Sequence, residues 1–235
     1  MNGNHVYVLI HSPLVGSFTW ALVANELQQR WQRVAVPVLK DSPDSQKPFW
    51  KQHAESAAQA LLGIAKDDAV TLVAHSGAGP LLPAIREAIP NPVNAYVFVD
   101  AGIPQAGASR LELMKSEDAE WAEQFEATLK QGERFPNWSV EDLREIIPDE
   151  TLRQRLVAEI RPRTLPFFTE PIPVSETWPD APCIYILFSP PYTKTERLAR
   201  ESGWQTYTLE AGHFHMLVDP KAVTDLLTHA VDNID

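Results

Sequence analysis

The stretch Ala74-His75-Ser76-Gly77-Ala78-Gly79 indicates both the fold and the chemistry of this chain. It follows the apolar residues 69–73 and precedes a helix-like stretch, residues 81–89. A strand that breaks at a serine and turns at once into a helix holds the hydroxyl in a strained turn. It also directs free backbone N–H groups at whatever that oxygen attacks. The sequence therefore predicts a nucleophile, Ser76. The alternative is a tight turn of small residues around a hydrogen-bonded serine.

Strands and helices alternate on both sides of this motif. Because the predicted strands are uniformly apolar, we expect helices to cover both faces of a parallel sheet. The predicted strands span residues 5–10, 34–39, 69–73, 95–99, 183–188 and 205–209. The predicted helices span residues 20–31, 49–64, 81–89, 111–129, 140–147, 195–201 and 220–234.

The alternation is interrupted in the middle of the chain. From Pro104 the pattern becomes helical and charged, and residues 162–182 contain six prolines, which no regular element accommodates. The sequence therefore predicts the α/β class, with a doubly wound, mostly parallel sheet and a helical lid insertion. Residues 1–103 and 183–235 would form the core, and residues 104–182 the helical cap.

Composition narrows the range of partners. The net charge of −11 argues against nucleic acid and against an anionic membrane surface, since both select clustered lysine and arginine. The single cysteine, Cys183, rules out an internal disulfide and fits a reducing compartment. No signal peptide and no membrane span is visible, so the predicted location is cytoplasmic. The expected partner is a small-molecule substrate, and a homodimer remains open.

A serine hydroxyl becomes a good nucleophile when a base removes its proton, and a third group orients that base. His213 follows the predicted strand 205–209, at the sheet edge where such groups converge. Asp100 ends the strand before the insertion and is the favoured acid, with loop capping as its alternative role. Residues 189–194, after the fifth predicted strand, contain no carboxylate, and Glu196 is kept as a reserve acid.

The remaining histidines and the cysteine are interpreted as structural. His75 would project sideways from a strand end and pack, and His215, two residues after His213, would point elsewhere. Cys183 begins a buried strand without an activating neighbour. The sequence contains neither a metal-ligand cluster nor a phosphate-binding glycine loop, so we expect no metal and no cofactor.

Three stretches resemble the α/β-hydrolase superfamily. They are residues 11–20, residues 74–79, and Gly212-His213-Phe214 followed by Asp219-Pro220. The spacing within residues 11–20, together with residues 165–171, is similar to the branch of small plant-type methylesterases and hydroxynitrile lyases. The resemblance covers nearly the whole chain. It implies the α/β-hydrolase fold and a triad in the order serine, aspartate, histidine.

Two positions depart from the family pattern. Most members place the acid after the fifth predicted strand, whereas some relatives use the preceding strand, which corresponds to Asp100. Pro13 stands where a backbone N–H usually reaches the oxyanion hole, and proline has no N–H. Gly77 N–H remains as one donor, and Leu14 N–H or the Ser12 hydroxyl is the candidate second donor. A missing donor costs about 3 to 4 kcal/mol in the transition state.

The sequence thus predicts a serine hydrolase that cleaves an ester, lactone or thioester of a small, mostly apolar substrate through an acyl-enzyme. The insertion supplies four aromatic residues as candidate pocket walls: Trp121, Phe125, Phe167 and Phe168. Two alternatives remain open. The first is a hydroxynitrile-lyase-like enzyme that uses the same triad for proton transfer, which the unusual loop at Pro13 motivates. The second is a catalytically weak ligand-binding homologue.

Overall fold

A single parallel sheet organises the chain. The computed structural model describes residues 5–42 and 44–234. Within these ranges the strands are β1 (His5–Ile10), β2 (Arg33–Ala35), β3 (Ala69–His75), β4 (Val93–Val99), β5 (Cys183–Leu187) and β6 (Gln205–Thr208). They form one six-stranded sheet in the order β2-β1-β3-β4-β5-β6, and every neighbouring pair is parallel. The predicted α/β class with a doubly wound, mostly parallel sheet is confirmed.

Helices pack on both faces of this sheet. The α-helices of the described residues are α1 (Ala21–Gln29), α2 (Phe49–Ala60), α3 (Leu82–Ala88), α4 (Arg110–Glu117), α5 (Ala119–Lys130), α6 (Glu150–Ala158), α7 (Leu165–Thr169), α8 (Thr193–Glu201), α9 (His215–Val218) and α10 (Pro220–Asp232). Alternate residues of β1 enter two different cores. Val6 and Val8 pack in the core with residues of α2 and α3. Tyr7 and Leu9 pack in the core with residues of α1 and α10. Burial on both faces explains why β1 is continuously apolar.

The order of the strands brings the carboxyl ends of β3 to β6 to one edge. The chain runs outward in one direction from β1 to β2 and in the other from β3 to β6, so the sheet reverses between β1 and β3. In open parallel sheets such a reversal leaves a crevice at the carboxyl ends of the strands. Ser76 follows β3 directly and lies at this reversal.

The chain between β4 and β5 contributes helices α4 to α7 and no strand of the sheet among the described residues. Helices α4, α5 and α7 share a third apolar core that is separate from the two around the sheet, whereas Leu156 of α6 packs in the core that contains α1 and α10. The buried members of this core are Leu14, Leu111, Ala122, Phe125, Leu129, Phe167 and Phe168. The division into a core and a cap at residues 104 and 182 stays a prediction.

Three predicted elements differ from those observed. The helix predicted over residues 111–129 is two helices, because Asp118 ends α4 in an extended conformation and its carboxylate caps α5 by accepting from Trp121 N–H at 3.0 Å. Where a helix is predicted over residues 140–147, residues 140–146 form turns, and α6 begins later, after the cap at Asp149.

The strand predicted over residues 34–39 is the three-residue β2. It ends before Pro37, whose missing N–H cannot join the hydrogen-bond ladder. None of the helices in residues 5–42 and 44–234 combines the length and the apolarity that crossing a membrane requires.

Candidate active site

Ser76 lies in the sharp turn that the sequence predicts. It has a φ of 56°, follows the last residue of β3, and begins a 3-10 helix, Ser76–Leu81. A left-handed backbone at a residue other than glycine costs about 1 to 2 kcal/mol and marks a strained position. The small neighbours are required by close packing, since a Cβ at Gly79 would lie 2.1 Å from the Gly102 carbonyl oxygen.

Asp100 and His213 are brought together at the same sheet edge. Asp100 follows β4, has a φ of 41°, and is fully buried. Its Oδ2 lies 3.1 Å from His213 Nδ1, and the His213 side chain is 21% exposed. The second ring nitrogen, Nε2, is therefore the one left free to accept a proton. This is the pairing in which a buried carboxylate orients an imidazole base.

The Asp100 carboxylate reaches across to the end of β5. Its Oδ1 accepts the backbone N–H of Phe188 at 2.6 Å and that of Ser189 at 3.1 Å, and its Oδ2 accepts the Ser189 hydroxyl. The carboxylate thus lies beside the position where most family members carry the acid. Sequence reasoning missed Ser189. Its place directly after β5, where the carboxylate is absent, is the signal that could have identified it.

Glu196, the reserve acid, does not bond to His213 in the described structure. Glu196 lies on α8, where its Oε1 accepts from Nε of Arg200 at 3.1 Å and from Nη2 of the same guanidinium. Its carboxylate therefore forms a pair within one helix turn. Of the two acids that the sequence left open, Asp100 is the one in contact with His213.

Three rings contact the His213 imidazole, and that of its chain neighbour Phe214 lies edge-on at 5.1 Å. The His75 ring lies 4.4 Å away between centroids, and the Tyr192 ring stacks at 5.2 Å with an interplanar angle of 4°. Burial lowers the pKa of His75 well below its ordinary value, so this ring is neutral. Its Nε2–H donates to the His213 carbonyl at 2.9 Å. His75 thus packs, as the sequence predicts. His215, in α9, has its ring 6.1 Å from that of Phe188.

Tyr192 also contacts the serine. Its hydroxyl lies 3.3 Å from Ser76 Oγ, while no hydrogen bond joins Ser76 directly to His213 in the described part of the chain. Burial raises the pKa of Tyr192 to about 12, so the phenol is protonated at neutral pH. Sequence reasoning missed this residue, although it stands in the loop that was searched for the acid. A contact made by a side chain five residues beyond β5 cannot be predicted from spacing alone.

Of the predicted oxyanion donors, Gly77 and Ser12 lie next to each other at the Ser76 turn, whereas the Leu14 N–H already donates a hydrogen bond. Gly77 is in the first turn of its helix, where backbone N–H groups lack intrahelical acceptors. A Cβ at Gly77 would lie 3.1 Å from Ser12 Oγ, so the Ser12 hydroxyl is beside the serine turn. Leu14 N–H donates to Ser12 Oγ at 3.3 Å. The Ser12 hydroxyl is therefore the better candidate for the second donor.

Ser76 opens into a cavity of about 120 Å³, which suits a small group. Its apolar walls are Pro13, Leu14, Pro80, Ile103, Leu113, Met114, Phe167, Phe168 and Leu198. Two of the four predicted wall residues, Phe167 and Phe168, line it. Trp121 does not, because it is 45% exposed and stacks on Phe125 at 5.0 Å. No group of three or more His, Cys, Asp or Glu side chains among residues 5–42 and 44–234 is placed to hold a metal ion.

Comparison with known proteins identifies relatives of the whole chain. A family model described as alpha/beta hydrolase family matches residues 7–226. Comparison with curated proteins gave no match.

Among solved structures, tomato methylketone synthase I with 2-tridecanone is 14% identical, with a TM-score of 0.75 and 100% of each chain covered. An extracellular alpha/beta-hydrolase from a Paenibacillus species is 18% identical, with a TM-score of 0.75 over 96% of this chain and 98% of that one. Polyneuridine aldehyde esterase is 18% identical, with a TM-score of 0.72 over 97% and 99%. At these identities the likenesses show that the four proteins share one fold over nearly their whole length.

Proposed function

Because this chain belongs to the alpha/beta hydrolase family of enzymes, we propose that it is a serine hydrolase that cleaves an ester, lactone or thioester through an acyl-enzyme. The observation that carries the proposal is the 3.1 Å hydrogen bond between Asp100 and His213, at the sheet edge from which Ser76 projects. The apolar cavity of about 120 Å³ beside Ser76 supports a small, mostly apolar reacting group. We also propose that the partner is this small-molecule substrate and that the triad needs no cofactor.

The proposed reaction has two halves. His213 Nε2 takes the Ser76 proton while Oγ bonds to the carbonyl carbon, and the Asp100 carboxylate stabilises the imidazolium that forms. Gly77 N–H and the Ser12 hydroxyl donate to the oxyanion. The carbon–oxygen bond of the ester then breaks, and the leaving alcohol takes the proton from His213. Water repeats these steps in the second half, releasing the acid and restoring the serine.

The Tyr192 contact has a consequence for this cycle. Either hydroxyl can donate in the 3.3 Å contact, and where Ser76 donates it must exchange the phenol oxygen of Tyr192 for the imidazole of His213 before its proton is removed. A neutral phenol pair at this distance is weak, and hydrogen bonds in proteins contribute about 1 kcal/mol net. The exchange is therefore a small part of the activation barrier.

The similar structures support the substrate class. Their descriptions name an esterase, a synthase bound to the long-chain ketone 2-tridecanone, and a pyrethroid hydrolase from Sphingobium faniae JZ-2. The ketone 2-tridecanone is a carbonyl compound with a long apolar chain. We propose the same chemical type for this chain, with the acyl group limited by the small cavity. The cytoplasmic location and the homodimer stay predictions.

Turnover of p-nitrophenyl acetate and butyrate tests the proposal. We expect Ser76→Ala to lower kcat by at least about a thousandfold, because loss of the nucleophile removes the acyl-enzyme route. The matched control is Ser175→Ala, which removes a hydroxyl that contacts Thr177 at the surface and leaves the cavity intact. Equal rates for wild type and Ser76→Ala would defeat the proposal.

One observation favours a second candidate, a lyase that moves a proton with the same triad. Pro13 offers no N–H and Leu14 N–H is engaged with Ser12, so the oxyanion hole has fewer backbone donors than ester hydrolysis usually employs. A lyase of this kind forms no acyl-enzyme. An acyl adduct on Ser76, detected by intact mass during turnover of a slow ester, would exclude the lyase as the route for that substrate.

A further inference from the structure

The cavity beside Ser76 contains one buried positive charge. Arg110 is the first residue of α4, lines the cavity, and is 4% exposed. Its Nη1 donates to the Phe167 carbonyl at 3.3 Å, and its guanidinium lies over the Phe167 ring at 4.1 Å. Its Nε and Nη2 are buried and have no hydrogen-bond partner among the described residues. Two of the three guanidinium nitrogens are therefore unpaired.

The acids nearest to Arg110 are already engaged. Asp41 accepts both Nη groups of Arg163, at 2.5 Å and 2.7 Å, and contacts His53 at 3.2 Å. Glu170 accepts the backbone N–H groups at the start of α2, at 2.7 Å and 2.8 Å. Burial lowers the pKa of Arg110 to about 10, with Glu170 acting in the opposite direction, so the guanidinium is positively charged at neutral pH.

A buried cation whose N–H groups lack hydrogen-bond partners destabilises the fold unless an anion pairs with it. Burial of an unpaired charge carries a desolvation penalty of several kcal/mol, and buried arginines normally find carboxylates or carbonyls. Arg153, in the same chain, shows how a buried arginine is usually paired, by donating to backbone carbonyls. It is equally buried at 4% exposure and its Nε also lacks a partner among the described residues, but its Nη1 donates to the carbonyls of Ile147 and Pro148 at 2.8 Å and 2.7 Å, away from the cavity.

We propose that Arg110 binds a carboxylate of the substrate, so that the preferred substrate is an ester that carries a carboxylate at the end remote from the reacting carbonyl. A carboxylate matches the two buried, unpaired donors, because the planar guanidinium presents paired N–H groups to two oxygens. The apolar walls between would hold the hydrocarbon part of the substrate. The inference rests on the proposed hydrolase function, which assigns the reacting carbonyl to Ser76.

A second charge on α4 fixes the direction of binding. Glu117 is seven residues after Arg110, so the two lie on one face of the helix, about 10 Å apart along its axis. Its Oε1 accepts the hydroxyl of Thr195, on the helix that follows Tyr192, and its Oε2 is buried without a partner in the described structure. This carboxylate repels an anion from the Tyr192 end of the cavity, which leaves the Arg110 end for the substrate carboxylate.

Matched monoester and diester substrates test the inference. Release of methanol from monomethyl and dimethyl esters of glutaric and adipic acid is followed by proton NMR. Wild type is expected to favour the monoesters in kcat/KM by at least about tenfold, the scale of one charged hydrogen bond. Arg110→Met is expected to remove that preference, and Arg110→Lys to leave a reduced one, because an ammonium keeps the charge but not the paired donors.

Arg153→Met is the matched control, since it removes an equally buried guanidinium outside the cavity. It is expected to keep the monoester preference of wild type. A wild type without the preference, or a preference that survives in Arg110→Met, would overturn the inference. If Arg110→Met does not fold, an undiminished preference in Arg110→Lys would overturn it.

A binding measurement separates this inference from the proposed function. Titration calorimetry of Ser76→Ala with monomethyl and dimethyl glutarate needs no turnover. If Ser76→Ala binds the monoester more tightly than the diester, and Ser76→Ala/Arg110→Met does not, the carboxylate site is supported. This conclusion holds even if wild type releases no methanol. Absence of methanol release would count against the hydrolase proposal alone. Equal affinities for the two esters in Ser76→Ala would overturn the carboxylate site, whatever the turnover.

Discussion

Two residues at the ends of neighbouring strands have a left-handed backbone although neither is glycine. Ser76 follows β3 with a φ of 56°, and Asp100 follows β4 with a φ of 41°. Such conformations persist when the surrounding structure determines them, and they concentrate at functional sites. At Asp100, hydrogen bonds from Phe188, Ser189 and His213 hold the carboxylate in place. The same bonds explain how an acid after β4 serves a histidine after β6.

Asp100→Asn tests the acid directly. The asparagine keeps the size of the side chain but presents a neutral amide to His213, so the imidazolium loses its stabilising charge. We expect kcat for p-nitrophenyl butyrate to fall by about a thousandfold or more. Glu196→Gln is the matched control and is expected to keep the wild-type kcat, because Glu196 pairs with Arg200. Equal losses in the two variants would contradict the assignment of Asp100.

Tyr192 presents a ring to His213 and a hydroxyl to Ser76, and two variants separate these contacts. Tyr192→Phe keeps the stacked ring and removes the 3.3 Å contact to the serine, so kcat is expected to stay within about threefold of wild type. Tyr192→Ala also exposes the imidazole and loosens its orientation, and kcat is expected to fall by about tenfold. If Tyr192→Phe lost as much activity as Tyr192→Ala, the hydroxyl would have a direct part in the chemistry.

At the scale of elements, the strands and the residues that follow them were predictable, and the helix boundaries between β4 and β5 were not. The buried parallel strands are continuous apolar runs, and a residue directly after such a strand lies at the sheet edge whatever the loop does next. Ser76 and Asp100 are of this kind, whereas His213 lies five residues after β6, in the loop that follows that strand. The helix boundaries at Asp118 and Asp149 depend on capping side chains within a charged, weakly periodic stretch.

The contacts that sequence reasoning missed are made by side chains within loops. Ser189 and Tyr192 lie within five residues of the end of β5, yet their partners, Asp100 and Ser76, are far away in the chain. Spacing predicts which residues share an edge, but not how loop side chains fill the space above it. The same limit applied to the cavity, where Phe167 and Phe168 form walls and Trp121 does not.

The loop after β1 depends on a neutral histidine. His11 Nδ1 bonds to the Ser12 carbonyl at 2.8 Å, and Nε2 accepts the Leu39 N–H at 3.2 Å, so protonation of Nε2 breaks the second bond. Burial lowers the pKa of His11 from 6.5 to about 4. The unfolded chain therefore takes up this proton first on acidification. Stability from this residue is complete above pH 6.5 and is lost as the pH falls toward 4.

His11→Gln tests this dependence. Glutamine offers a donor and an acceptor but does not titrate, so the fall in the free energy of unfolding between pH 6.5 and 4 is expected to lessen by about 1.4 kcal/mol per pH unit at most. Urea unfolding at a series of pH values measures the slope. Burial also lowers the pKa of His53 to about 4, so part of the dependence of unfolding free energy on pH remains in both proteins. Identical slopes for wild type and His11→Gln would refute the account of this loop.

At the scale of the molecule, the segment between β4 and β5 is tied to the loops of the sheet by polar contacts. Arg163 pairs with Asp41 and donates to the Pro13 carbonyl at 3.0 Å. Arg161 N–H donates to the Leu14 carbonyl at 2.9 Å, and Glu159 accepts the Phe18 N–H at 2.9 Å. These contacts position the insertion over the loop after β1, which carries the candidate oxyanion donor.

Arg163→Met is expected to destabilise the protein strongly. The side chains of Arg163 and Asp41 are 11% and 4% exposed, so the substitution leaves a buried carboxylate without its main partner. We expect a loss of about 3 to 5 kcal/mol in the free energy of unfolding, measured with urea. Arg144→Met breaks the exposed pair with Glu141, at 61% and 67% exposure, and is expected to cost under about 1 kcal/mol. Similar small losses in both variants would show that the buried pair does not hold the insertion.

The most direct test of the account is labelling of the intact protein with a fluorophosphonate. The Ser76 oxygen would bond to phosphorus and displace fluoride as His213 takes the proton. Intact mass and peptide mapping are expected to find one adduct, on Ser76, whose rate of formation falls by at least about a hundredfold in His213→Ala. An unlabelled Ser76, or the same rate without the His213 imidazole, would contradict a serine made reactive by that base.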